Sequence, residues 1–363
     1  MQRQNRSMIR ARQRARQSTG AAPGPLCQIA GMRRELARAI AAFAALVTVS
    51  GTALAQRNAG ESWDPTVREF GRSGDALGLP ADSRNSTLDA LNKILSSSKL
   101  SAFDRSIYLS IRAYQLNRLG READSQKDIA EMGRVLPTAW QLVLSGTVPE
   151  LAGGGDRAAA LRTLDSALQR KPGDSWLVIA QAQVYMQIAD YARALELLNA
   201  ALAGATTQID RRTALFYRGH AAFNLGQYAQ AAQDFEDTLP GRTTLKSRLG
   251  PLLWRYAAQV RARQDARGTL ARQIGTENLD EWPGAVARFL LGKLPVGELE
   301  VIAETDDVAK RSNGKCPAAF FIAMDALRRG DRQRAREQLQ LAQARCPTVS
   351  EFNWAATSEL KRF

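Results

Sequence analysis

Helix-breaking turns recur along the middle of this chain at a nearly constant spacing. Gly120, Gly155, Ala189 and Gly226 lie 35, 34 and 37 residues apart, each between stretches whose apolar residues follow a helical period. Residues 212–239, RTALFYRGHAAFNLGQYAQAAQDFEDTL, show the unit most clearly. Ala214, Leu215, Gly219 and Ala222 fall on one helical face, and Leu225-Gly226-Gln227-Tyr228 interrupts it with glycine, the residue that ends a helix at least cost. Ala231, Phe235 and Leu239 then recur every four residues. One such hairpin cannot hide its apolar side, whereas a stack of them can. The spacing therefore predicts an all-α solenoid of stacked helix hairpins. A length of 363 residues is no obstacle, because each unit contacts only its neighbours. No segment shows the period-two alternation of a half-buried strand.

Gly219, Gly226, Tyr228, Ala231 and Phe235 stand at the signature offsets of the tetratricopeptide repeat (TPR), which the unit resembles. The resemblance implies a right-handed TPR α-solenoid over residues 86–363, non-catalytic and with no cofactor. Four units are expected at 103–136, 138–171, 174–203 and 212–239. A lone helix starting near Ser86, which can serve as its N-cap, should cover the first of them. Pro149 is expected to kink or shorten the first helix of the second unit. Beyond these, residues 247–274 form a pair with no glycine at the turn, where Arg263-Gln264-Asp265 stands instead. Residues 281–305 form another with Pro295 at the bend, and a clear unit returns at 316–346 around Arg329-Gly330-Asp331. The stretch 349–361 carries Phe352, Ala355, Ala356 and Leu360 on one face and is expected to cap the array.

The start of the chain reads as a leader. Met32-Arg33-Arg34-Glu35-Leu36-Ala37-Arg38 is a basic region, Ala39 to Val49 is apolar, and Ser50 to Ala55 ends in a small-x-small pattern, so cleavage is expected after Ala55. Eleven apolar residues fall short of the roughly 20 that span a bilayer. An uncleaved signal anchor and a mitochondrial presequence are the competing readings. Met32 is the expected true start, with residues 1–31 upstream of it. Residues 1–55 thus form the leader and residues 56–85, rich in Gly, Asp, Ser and Pro, a linker. Gln56 stands where a lipidated Cys would be required, so the protein is expected free in the periplasm or secreted, without stable membrane insertion. The formal charge of +14 is concentrated in those first 55 residues, where nine Arg face one Glu. No basic run follows, so a nucleic-acid partner is not expected.

Two of the three cysteines, Cys316 and Cys346, follow the leader. One opens the first helix of the last unit and the other closes the second, so in an antiparallel hairpin they lie at the same end. Export favours a disulfide between them, closing a loop of roughly 30 residues and stabilising by roughly 3–4 kcal/mol. A metal site would need further ligands, and a redox pair would need the CxxC spacing.

His220 is the one histidine. No GxSxG, Walker loop, HExxH or GxGxxG accompanies it, so neither a catalytic nor a metal site is predicted. What a repeat array offers instead is a long inner surface lined by the first helix of each hairpin. Helical spacing gives as groove candidates Tyr114 and Arg118; Gln183, Met186 and Gln187; and His220, Phe223 and Asn224. For Met186 and Phe223, packing between repeats is the equal alternative. Ser110 and Tyr114 stand where chaperone-tail-binding TPRs need Lys and Asn.

The C-terminal third, FLLGKL at 289–294, then AAFFIAMDALRRGDRQRAREQLQLAQA and SEFNWAATSEL, resembles the periplasmic NlpI-like TPR proteins. That resemblance implies an adaptor for protein partners such as cell-wall hydrolases and an envelope protease. The absent lipid-anchor Cys departs from it. Two other functions remain open: a peptidoglycan- or carbohydrate-binding module using exposed Trp, and an export chaperone for unfolded envelope proteins.

Overall fold

Six of the hairpins of this protein turn on one residue with left-handed backbone. The computed structural model describes residues 82–98, 100–153, 155–306 and 313–363. The leader expected over 1–55 and nearly all of the linker expected over 56–85 lie outside the described residues. Sixteen helices and no strand occur among the described residues. Helix α1 (Asp82–Leu95) precedes seven hairpins. These are α2 (Ala102–Arg118) with α3 (Glu122–Val135), α4 (Trp140–Gly153) with α5 (Arg157–Arg170), and α6 (Ser175–Gln187) with α7 (Tyr191–Ala203). Next come α8 (Gln208–Leu225) with α9 (Tyr228–Asp237), α10 (Leu245–Arg261) with α11 (Ala266–Ile274), and α12 (Gly284–Leu290) with α13 (Val296–Thr305). The last hairpin is α14 (Lys315–Arg329) with α15 (Arg332–Arg345), and α16 (Glu351–Leu360) follows it. The protein is an all-α solenoid of helical hairpins.

Positive φ occurs at Gly120 (72°), Ala189 (61°), Gly226 (81°), Arg263 (56°), Gly292 (74°) and Gly330 (82°). In every case the next residue's N–H donates to the carbonyl five positions back, from Arg121 to Leu116 at 2.9 Å, Gln227 to Ala222 at 2.9 Å and Gln264 to Gln259 at 2.9 Å among others. This is the Schellman closure, which satisfies carbonyls that the end of a helix would leave open. It explains the fifth unit. Arg263 takes the left-handed conformation itself, at a cost of about 1 kcal/mol, and the hairpin forms without glycine. Asp156, Asp190, Asp265 and Asp331 then cap the second helices, each carboxylate accepting the N–H three residues on at 2.9–3.1 Å.

Three expectations change. Helix α1 begins at Asp82, so Ser86 lies inside the helix and is not its cap. Helix α4 runs through Pro149 to Gly153. A proline this near the end removes one N–H only, its fixed φ suits a helix, and buried Val148, Leu151 and Ala152 hold the last turn in place. Pro251, inside α10, removes the N–H that would have bonded Ser247, whose carbonyl instead accepts the Arg242 guanidinium at 2.9 Å. The third change concerns α16, whose cover extends beyond α15 of the last hairpin to α14 and to α8.

Two hairpins share a further device. Arg112 reaches Asp128 through bonds of 2.8 and 2.6 Å, and Arg218 reaches Asp234 through bonds of 2.9 and 2.6 Å. The remaining nitrogen donates to an asparagine of the preceding helix, Asn92 of α1 at 2.9 Å and Asn199 of α7 at 3.0 Å. Helix α1 thus does for the first hairpin what α7 does for the fourth. Cys316 and Cys346 are joined by a disulfide at the open end of the last hairpin, with their Cα atoms 4.9 Å apart.

Candidate functional site

The face built by the first helices is where a solenoid of this kind presents its binding surface. Here that face carries α16. Trp354 joins the buried cluster of Val178, Ile179, Ala182 and Met186 on α6 and of Ala214 and Ala221 on α8. Phe352 stacks on Trp254 of α10, ring centroids 4.9 Å apart, and meets Phe320 and Phe321 of α14 at 5.7 and 5.8 Å. Ser358, one turn beyond Trp354, is buried on the side of Tyr191. Glu359, two turns beyond Phe352, is fully buried. Its carboxylate accepts the Tyr228 hydroxyl at 2.6 Å and lies 2.6 Å from Nε of Arg261. The Arg261 guanidinium also donates to the Tyr228 oxygen at 3.0 Å and lies over its ring. Arg362 contacts Glu359 at 3.1 Å and donates to the Asn224 carbonyl. Burial and the Glu359 carboxylate push the Tyr228 phenol up to about 12, so it stays protonated and donates.

The eight groove candidates divide on exposure. Tyr114, Met186, His220, Phe223 and Asn224 are buried, and in this state none offers a side chain to a partner. Tyr114 ties two hairpins together, its hydroxyl accepting from Asp156 N–H at 2.8 Å and facing the Leu151 carbonyl at 3.3 Å. Phe223 lies against Tyr228, Trp254 and Phe320, and Met186 shares its cluster with Trp354. Asn224 donates back to the His220 carbonyl at 2.8 Å. Arg118, Gln183 and Gln187 are half-buried; Arg118 sits over the Tyr114 ring, and Gln187 donates to the Pro149 carbonyl at 2.8 Å. The helical wheel of each first helix places these positions away from its own partner helix, but it contains neither α14, whose Phe320 meets Phe223, nor α16, whose Trp354 shares the Met186 cluster. Phe352 and Glu359 went unrecognised as anchors. Their seven-residue spacing was visible, but nothing in it distinguishes a buried carboxylate from a solvated one.

His220 is enclosed by aromatic rings, with Phe216, Phe235 and Trp254 edge-on at 4.5, 5.1 and 4.4 Å. Neither ring nitrogen has a hydrogen-bond partner, so no nucleophile stands within reach of it. Burial holds its pKa down to about 3, and the ring is neutral. Among the described residues Trp140, Trp254, Trp282 and Trp354 are buried and Trp176 is half-buried, so none of these five is a fully exposed Trp of the kind a glycan platform would need. A separate depression of about 410 Å³ beside α14 is lined by Arg267, Arg328, Arg329 and Arg334. Two of those guanidiniums are committed to buried Asp325, on which both Arg328 and Arg329 converge.

With this geometry in place, comparison with known proteins is informative for the repeats. Residues 151–215 match the tetratricopeptide repeat family. They run from the end of α4 into α8 and take in the whole third hairpin. A comparison with curated proteins returns no match. Among solved structures, the chain is similar to a tetratricopeptide repeat protein from Parabacteroides merdae, 18% identical, covering 70% of this chain and 99% of that one with a TM-score of 0.36. It is also similar to the C-terminal part of a TPR repeat-containing protein from Cytophaga hutchinsonii, 15% identical, covering 75% and 94% with a TM-score of 0.34.

Proposed function

We propose that this protein is an adaptor of the cell envelope, without catalysis of its own, that docks protein partners on the face built by its first helices. One observation carries the reading: that face already accommodates a helix, taking two aromatic side chains into apolar clusters and one carboxylate into an Arg-Tyr pair. A surface that seats a helix in this way is suited to a polypeptide, and large aromatic and arginine anchors dominate such interfaces. The leader pattern upstream of Gln56 and the Cys316–Cys346 bridge support an exported, oxidising location. Cell-wall hydrolases and an envelope protease are the partner classes that the C-terminal resemblance suggests.

The test is crosslinking and affinity capture from the envelope with wild type and an Arg118→Ala/Gln183→Ala variant. Both residues reach the surface, so their truncation leaves the core intact, which a Tyr114 substitution would not. Loss of specific protein partners from the double variant, at unchanged helicity, is the expected result. Retention of every partner refutes these docking positions, and capture of isolated glycan strands alone refutes the adaptor reading.

A further inference from the structure

We infer that the partner docks as an amphipathic helix with the side-chain pattern of α16, and that α16 holds this seat in the free protein. The inference rests on the docking face proposed above and names what that face recognises. The pattern is an aromatic residue, a second aromatic two positions on, and a carboxylate seven positions after the first: Phe352, Trp354 and Glu359.

Three observations carry it. First, two stripes of α16 read the repeats, as a helix laid in a groove requires, beside a third, Asn353 and Thr357, that bonds Gln343 of α15. Phe352 and Glu359, two turns apart, face α10, α14 and Tyr228, while Trp354 and Ser358, one turn apart, face α6 and Tyr191. A ten-residue helix thus reads side chains from several hairpins at once, which a packing element between two neighbours does not. Second, the receptor side supplies a carboxylate site. Arg261 and Tyr228 bond one another and both meet Glu359, so a carboxylate presented at that point finds a hydroxyl donor and a guanidinium charge already in place. Third, the last hairpin is closed independently of α16. The disulfide joins Cys316 to Cys346, and Pro347 to Ser350 then lead into the helix, so α16 can leave without opening α14 from α15.

The experiment uses the full chain with a specific protease site inserted between Pro347 and Thr348. After cleavage, a fluorescent peptide of residues 348–363 is added and its anisotropy followed, with far-ultraviolet circular dichroism as a control. The labelled peptide is expected to exchange into the cut protein, and a Glu359→Gln peptide to bind about tenfold more weakly. Uncut protein should bind the labelled peptide at least about tenfold more weakly than cut protein, because its own α16 competes at high effective concentration. A segment that stays in place without exchange, or a cut protein that loses its helicity, overturns the inference by making α16 a fixed part of the fold. So does equal binding of the Glu359→Gln peptide. If exchange fails while the Arg118→Ala/Gln183→Ala variant still loses its partners, the adaptor reading stands alone. If exchange succeeds while that variant keeps every partner, the Arg118 and Gln183 docking positions are the ones at fault.

Discussion

Arg218 on α8 holds Asp234 on α9 through paired hydrogen bonds of 2.9 and 2.6 Å, and the aspartate is fully buried. Removing one partner of such a pair leaves an uncompensated charge in the interior, whereas removing both does not. Arg218→Ala is expected to destabilise by about 3–5 kcal/mol. Arg218→Met combined with Asp234→Leu should recover most of that loss. Urea unfolding midpoints of the three proteins check it, and equal midpoints for the single and double variants would show that the buried charge is not what matters.

His220 sets a pH dependence. Its pKa in the fold is about 3, well below the ordinary histidine value near 6.5, so the unfolded chain takes up a proton that the fold refuses. The stability it contributes is complete above about pH 6.5 and is lost as the pH falls toward 3, by up to about 1.4 kcal/mol per pH unit. His220→Leu should therefore lose less stability than wild type between pH 7.5 and 5. Parallel unfolding curves at the two pH values measure the difference.

The left-handed turn residues give opposite signs at equivalent positions. Ala189 and Arg263 carry a side chain at φ 61° and 56°, so Ala189→Gly and Arg263→Gly each relieve strain and are expected to raise stability by about 0.5–1 kcal/mol. Gly226, at φ 81°, has only the Arg362 side chain near a prospective Cβ, yet Gly226→Ala should cost about 1–2 kcal/mol from backbone conformation alone. Thermal melts of the three variants test the set together.

Helix α8 approaches its partner through Gly219, where an added Cβ would lie 2.9 Å from the Phe235 ring. Gly219→Ala is expected to cost about 1–3 kcal/mol by overpacking. Phe235→Leu in the same chain should return part of it, and a double-mutant cycle on unfolding free energies reads the coupling.

Reducing the Cys316–Cys346 bridge should lower stability by about 3–4 kcal/mol while leaving the native helicity in place, because α14 and α15 pack over their whole length. Unfolding with and without a reductant checks the magnitude, and non-reducing peptide mapping checks the pairing.

Much of the architecture was legible because it rests on local chemistry. Glycine at Gly120, Gly226 and Gly330, aspartate caps and a four-residue apolar period each speak through a few neighbouring residues. The fifth unit was blurred because arginine occupies a position where glycine is the usual signal, and the run through Pro149 was missed because burial outweighed one lost hydrogen bond. The site was far less legible. Phe223 and Met186 were assigned from the wheel of a single helix, while their surroundings come from helices distant in sequence. Glu359 reads as an ordinary surface carboxylate until Arg261 and Tyr228 are set beside it, and the pairing of Arg112 with Asp128 and Arg218 with Asp234 gained meaning only as a repeated motif.

The chain entering α16 passes so near the second hairpin that a Cβ at Gly153 would stand 1.8 Å from Cγ1 of Val349. Two sites remote along the polypeptide are thereby bound to a common history. A methyl gained at the first must be answered by bulk shed at the second, or the tail loses its berth, so whatever molecule competes for that berth meets a rival whose grip can be loosened from the opposite half of the gene.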